Sequence, residues 1–333
     1  MRSGSPLSWL PTVIQVLFSH GDYGVNSFFV LSGFVIACSV RNRDWTPRYL
    51  ALFAARRSLR LDPPYWLAIV GEIALTIVGL RIFPALHDSV PSLAQIAAHL
   101  LYLQDILGYG QITPIFWTLC FEFQFYLTLV VVLVLWKFAE KVFGHRTGRA
   151  VLSGAFVLLL LCSLAVHNGL LQAPRGIAIG RWHEFFVGAI AWWVASGTLP
   201  FIVLPAAWAL VGGMARRPDA ITGVTIVVLV STICFTSVVR PAWDRHFRLR
   251  PLQSLGRISY SLYLFHGWVA WRTVALAQLV LGKSLSPGAG VLAITVAVGA
   301  SIAVATVGSW VIERPALKLA HKVTLPTRSA LLR

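Results

Sequence analysis

The chain has 333 residues, 57% of them hydrophobic and only 12% charged, and carries a formal net charge of +16. A soluble domain has about 25% charged residues; with half that share and a mean hydropathy of +0.74, this chain has too little polar surface to face water on all sides. The composition therefore excludes a soluble globular enzyme. The positive charge sits in short stretches between apolar runs, without interleaved aromatic residues, which speaks for membrane topology and against a nucleic-acid surface.

Residues 1–23 are mixed in character and read as an N-terminal extracytoplasmic segment. Leu7 to Phe18 is apolar, but Pro11 interrupts it and no small-residue cleavage site follows, so a secretory signal is a poor reading. The first apolar span is Gly24 to about Val40. A loop with Arg41, Arg43, Arg48, Arg56, Arg57 and Arg60 follows. The second span opens at Pro63-Pro64, where proline is tolerated in a first helical turn, and runs to Phe83. Residues 84–95 read as loop. Residues 96–107 are apolar but too short to cross a ~30 Å core unaided. They carry His99 and Asp105, so a re-entrant or buried helix is expected there.

The third span is Pro114 to Trp136, followed by Lys137, Lys141, Arg146 and Arg149. A fourth runs from Ala150 to Leu171, a fifth from Trp182 to Ala195, a short sixth from Leu199 to Met214 and a seventh from Ala220 to Val239. After Arg240, Arg245, Arg248, Arg250 and Arg257 come an eighth (Ile258 to Leu281) and a ninth (Gly288 to Ile312). A tail with Arg314, Lys318, Lys322, Arg328 and Arg333 ends the sequence. The expected architecture is all-α, a polytopic integral membrane protein of about nine spans. With 96–107 not crossing, the four basic stretches share one side, and the positive-inside rule puts that side and the C-terminus in the cytoplasm. Nine spans starting outside leave the side count one span short. Cys38, Cys120, Cys162 and Cys234 lie inside apolar runs without metal or disulfide spacing and read as small core residues; no metal site is expected.

Ionisable groups at membrane depth are costly and mark function by default. Glu122 is the leading one, with Thr118 four residues earlier on the same helix face. Arg181 and Glu184, with His183 between them, open the fifth span, where an Arg–Glu pair at i, i+3 is also a plain helix pair. His266 is a candidate general base by residue type, an imidazole being suited to that role, although a lone intramembrane histidine is more often structural. Glu72 has no evident partner, and His99 and His167 read as structural. Arg56, Arg57 and Arg60 suit phosphate oxygens; topology and lipid phosphate are the bland reading, a soluble phosphorylated donor the functional one.

Five motifs occur in order: Gly24-Val25-Asn26-Ser27-Phe28-Phe29-Val30-Leu31-Ser32-Gly33-Phe34, Arg56-Arg57-Ser58-Leu59-Arg60, Trp117 to Tyr126, Ser259 to His266, and Glu313-Arg314-Pro315. Together they resemble the membrane-bound acyltransferase 3 family, the O-acetyltransferase type that modifies bacterial surface glycans. The resemblance covers residues 24–315, leaving residues 1–23 before it and a basic tail, residues 316–333, after it. It implies ten helical spans, acyl-CoA as co-substrate with no bound cofactor, and transfer of an acyl group, often acetyl, to a carbohydrate hydroxyl. Arg56, Arg57 and Arg60 would then hold acyl-CoA, Glu122 and His266 would be the catalytic candidates, and Thr118, Arg181 and Tyr260 would line the path or bind the acceptor. The family's first span carries a basic residue, ten residues, then a histidine. His20 lies only four residues before Gly24, and Trp9 stands where the basic residue would be, so that role is not carried to His20. The resulting expectation is that the chain as written, without the first span, has little or no transferase activity and that a longer form has it. Asn26 and Thr118 stand where Asp and Ser are usual. A non-catalytic glycan exporter or scaffold is the alternative, though no internal repeat of transporter type is visible, and a lipid acceptor is a third reading.

Overall fold

A chain inside a bilayer must satisfy its backbone hydrogen bonds internally, and helices do so within one segment. The computed structural model describes residues 23–41, 43–82, 89–214, 218–240, 249–282 and 285–326, and these form helices joined by short irregular connections, with no strand among them. In chain order the helices are α1 (Tyr23–Ser39), α2 (Pro47–Ile82), α3 (Leu93–Leu100), α4 (Trp117–Phe143), α5 (His145–His167), α6 (Trp182–Ala195), α7 (Val203–Gly213), α8 (Pro218–Val239), α9 (Arg250–Arg257), α10 (Ser259–Leu281), α11 (Pro287–Gly308) and α12 (Arg314–Lys322). A 3-10 turn, Ala178–Arg181, leads into α6, and a π turn, Ser309–Glu313, joins α11 to α12. Six of the described helical stretches are long and apolar enough to cross a membrane. The protein is an all-α polytopic membrane protein. Residues 1–22 with His20, the loop residues Pro84, His87 and Asp88, and Arg245, Arg248, Arg328 and Arg333 lie outside the described residues.

Two expectations are corrected. The arginine loop is helical: α2 begins at Pro47 and runs unbroken through Arg56, Arg57, Arg60 and Pro63-Pro64 to Ile82. Proline lacks an N–H, so the carbonyls of Leu59 and Arg60 lose their helical donors. Buried Asp62 ties this stretch to its surroundings, accepting from Ser58 on its own helix and from Tyr102 Oη at 2.8 Å. Near the C-terminal end, Arg314–Lys322 form α12, which buries Ala316 and Ala320 and packs along α2. The stretch 96–107 is a helix only to Leu100. Beyond it the chain turns at Tyr102, whose φ of 58° is left-handed, and runs back irregularly to α4. His99 is structural: Nδ1 meets Gln95 O and Nε2 accepts from Ile112 N.

The bundle is built around α6, which is buried along nearly its whole length. Lipid tails are as apolar as leucine, so close helix packing depends on small residues that let backbones approach. Gly33 of α1 and Gly188 of α6 do this reciprocally. A Cβ on Gly33 would fall on the Phe185 carbonyl, and one on Gly188 on the Val30 carbonyl. The pairings Phe29–Phe185 and Phe34–Trp192 make α1 and α6 parallel, and Phe29–Trp117 with Trp45–Trp136 aligns α4 with them. The ends of α1 and α4, the start of α2 and α12 therefore gather at one end of the bundle, bringing basic stretches together there. Arg272 of α10 meets Glu72 of α2 through two N–H···O bonds of 3.0 Å each. This is the partner that sequence separation of 200 residues conceals.

Candidate active site

Phe53, Arg56, Arg57 and Arg60 recur at i, i+3, i+4 and i+7 and so share one face of α2. That face borders a cavity of about 210 Å³ whose other walls are Val35 and Ser39 of α1, Arg43, and Leu317, Ala320, His321 and Leu325 at the C-terminal end. Arg57 lies deepest. Its Nη2 donates to Ser39 Oγ at 3.3 Å, and its guanidinium sits over the Tyr126 ring at 4.8 Å and near the Phe53 ring at 5.6 Å. Flat aromatic faces hold a guanidinium by cation–π attraction without consuming its charge, so the cavity remains cationic.

Tyr126 leads from the cavity into the core. It lies one helical turn after Glu122 on α4 and donates its hydroxyl to Glu122 Oε1, which also accepts from Ser32 Oγ of α1 at 2.8 Å. Two O–H donors, one from α1 and one from α4, thus converge on a single carboxyl oxygen, with Arg57 and Arg60 on the cavity side of it. Glu122 is 6% exposed, so it is shielded from bulk water. Along α1, Ser32 and Ser39 are seven residues apart, about 10 Å at 1.5 Å per residue. The carboxylate thus sits roughly two turns above the arginines.

On the far side of Glu122, Thr118 shares a short hydrogen bond with Tyr263 Oη and donates to Ile115 O at 3.0 Å. The Tyr263 ring stacks on Phe28 at 5.5 Å. Tyr260, one turn earlier on α10, donates to Leu61 O at 2.8 Å beside the proline pair. Glu313, brought round by the π turn, accepts from Ser261 N at 3.3 Å and from Ser261 Oγ. The structure thus gathers Glu122, Thr118 and Tyr260 around the meeting of α2, α4 and α10. His266 lies a further turn and a half along α10, and its Nδ1 faces the carbonyls of Leu262 and Tyr263 at 3.1 and 2.8 Å. It hydrogen-bonds to none of the three.

Arg181 belongs to a separate cluster at the opposite end from the arginine cavity. Its Nη1 donates to Glu184 Oε1 at 2.8 Å, and Glu184 Oε2 is buried without a partner among the described residues. His183 Nδ1 meets Ser163 Oγ at 2.9 Å. His167, His183 and Glu184 present ligand atoms within 4.8 Å of one another. The Arg181 guanidinium on that carboxylate opposes a cation there.

A family model described as an acyltransferase domain matches residues 2–314, from upstream of the glycine-rich motif to the end of the π turn. The chain belongs to this acyltransferase family. The exopolysaccharide production protein ExoZ of Rhizobium meliloti (strain 1021) is 31% identical over 281 residues, which span 80% of this chain and 81% of that protein. BcsY of Komagataeibacter xylinus, named as a membrane-bound transacylase, is 28% identical over 332 residues, 88% of this chain and 78% of that protein. Nodulation protein 10 of Rhizobium leguminosarum bv. viciae is 26% identical over 355 residues, 96% and 88% respectively. No solved structure matches.

For this membrane acyltransferase, sequence reasoning missed Ser32, Tyr126 and Tyr263 as partners of the core carboxylate and threonine. Tyr126 had a signal, since i and i+4 share a helix face. Ser32 had only its place within a motif. Tyr263 and the cavity residues Arg43 and His321 had none, because their neighbours come from distant parts of the chain.

Proposed function

We propose that this acyltransferase moves an acetyl group from acyl-CoA, supplied at the basic end of the bundle, to a hydroxyl of a carbohydrate such as a surface polysaccharide or lipopolysaccharide. The supporting observation is the continuity from the cationic cavity through Arg57 and Tyr126 to the buried Glu122. Arg56, Arg57 and Arg60 hold the phosphates of the donor, for which guanidinium forks are suited. The thioester arm extends towards Glu122. The acceptor hydroxyl comes from the opposite end, past Arg181 and Thr118. Glu122 takes the hydroxyl proton as the oxygen attacks the thioester carbonyl carbon. The C–S bond breaks, the ester forms, and the thiolate leaves to be protonated. Tyr126 and Ser32 hold the carboxylate in place, and Tyr260 fixes α10 against the proline pair. His266 is the second candidate base, for an acceptor that lies further along α10. The basic end faces the cytoplasm by the positive-inside rule, the bundle lies in the inner (plasma) membrane, and residues 24–315 form the embedded catalytic unit.

The relatives support a glycan acceptor through their names, which concern exopolysaccharide production and, for a further relative from Bacillus subtilis, peptidoglycan O-acetylation. The test uses protein in nanodiscs with acetyl-CoA labelled in the acetyl group and a panel of surface oligosaccharides. Alkali-labile label on sugar is expected, and it disappears in the Arg56→Ala/Arg60→Ala variant. Label recovered only in the lipid fraction would replace the sugar by a lipid acceptor, and no transfer from any acyl-CoA would end the donor reading.

A further inference from the structure

The arginine face of α2 is only one wall of its cavity. Val35, Ser39 and Arg43 add a second wall, and the third, Leu317 to Leu325, comes from outside the family match, which stops at residue 314. Leu317, Ala320 and His321 lie at i, i+3 and i+4 on one face of α12, and that face borders the cavity. Two small buried residues, Ala316 and Ala320, let α12 sit close against α2. After Lys322 the chain leaves the helix and tucks Leu325 in, 7% exposed, against the same cavity. The Leu325 carbonyl accepts a long bond, 3.5 Å, from Arg43 Nη1. Arg43 comes from the connection between α1 and α2, so the C-terminal segment is pinned to the opposite rim.

The lining carries four arginines and a histidine and no Asp or Glu. Among the described residues, none of Arg43, Arg56, Arg57 and Arg60 pairs with a carboxylate. Like charges gathered around one partly enclosed space repel, and the repulsion grows as water is excluded. An anion relieves it. The cavity, about 210 Å³, is large enough to admit a phosphate-bearing group. The apolar walls Val35, Phe53, Leu317 and Leu325 suit the organic groups on either side of such a unit.

We infer that Arg43 and His321 are ligands of the donor's diphosphate alongside the α2 arginines, and that the segment from Leu317 to Leu325 is a clasp closing over it. This assignment rests on the donor reading of the cavity. Donor binding draws the clasp onto the anion, and release of free CoA requires the Leu325 contact to open. The clasp therefore controls residence of the donor, and the acyl chain and Glu122 lie outside it.

The experiment measures CoA binding by calorimetry to the full chain in phosphatidylcholine nanodiscs, with inorganic diphosphate as competitor. Arg43→Ala, His321→Gln and Leu325→Ser are compared with Arg56→Ala/Arg60→Ala. A charge-assisted contact carries about a tenfold effect on affinity. Arg43→Ala and His321→Gln are expected to weaken CoA about tenfold each and diphosphate in parallel. Leu325→Ser is expected to speed CoA release. Thermal melts matching the parent protein establish that each variant is folded, and the conservative His321→Gln carries the test if Arg43→Ala fails to fold. Wild-type affinity in Arg43→Ala and His321→Gln, with binding lost in the double arginine variant, would overturn the clasp and leave the donor reading intact. Wild-type affinity in all variants would overturn both. The phosphate chemistry could also come from lipid: if CoA binding disappears in phosphatidylglycerol nanodiscs and diphosphate does not compete, the cavity serves headgroups and the inference falls.

Discussion

Glu122→Gln separates the proton-accepting role of this side chain from its structural one. The amide keeps the shape and leaves a carbonyl oxygen for the hydroxyls of Ser32 and Tyr126, both of which now meet Oε1. Folding should therefore change little, by about 1 kcal/mol for exchanging charged for neutral acceptor. Glu122→Ala is different. It leaves two buried hydroxyls without a partner, at about 1–3 kcal/mol each. A loss of roughly 2–6 kcal/mol is expected, enough to lower the melting temperature plainly in detergent. For catalysis, a positioned base contributes 10²–10⁴-fold, or about 3–5 kcal/mol in the barrier at 1.36 kcal/mol per tenfold. The assay is transfer of labelled acetyl to oligosaccharide, run beside CoA binding and a melting curve. Glu122→Gln should bind CoA normally, melt near the wild type and lose at least a hundredfold in turnover. Turnover within threefold of wild type would refute the assignment of Glu122 as the base.

Two further changes test the fold around the site. Gly188→Val puts side-chain atoms onto the Val30 carbonyl, and overpacking of this kind costs about 1–3 kcal/mol or more; because α6 is the most enclosed helix, lower yield and melting temperature are expected, and an unchanged melt would mean that the α1–α6 approach is looser than described. Glu72→Arg or Arg272→Glu alone sets like charges facing each other in the apolar span and should destabilise the protein, whereas the exchanged pair Glu72→Arg/Arg272→Glu should recover most of the loss. The melting temperatures of the three variants form a cycle, and no recovery in the double variant would show that the two side chains do not interact.

The sequence alone determined the class of this protein. A charge share half that of soluble domains and apolar runs near the length of a bilayer leave few alternatives, because lipid admits no unsatisfied backbone. It also located the acyltransferase motifs, since each is a local string, and it put Thr118 and Glu122 on one helix face, which can be counted in steps of four. It misjudged the arginine stretch as a loop because charge and a proline pair are local signals for a break, while the ties that hold α2 continuous there, Asp62 to Tyr102 and Tyr260 to Leu61, come from 40 and 199 residues away. Only the tertiary structure decided that Glu72 meets Arg272, that Ser32 and Tyr126 converge on one carboxylate oxygen, and that the C-terminal residues close the arginine cavity. The reason is the same in each case. A side chain's chemistry is written at its own position, but its partner inside a bundle is chosen by helix packing.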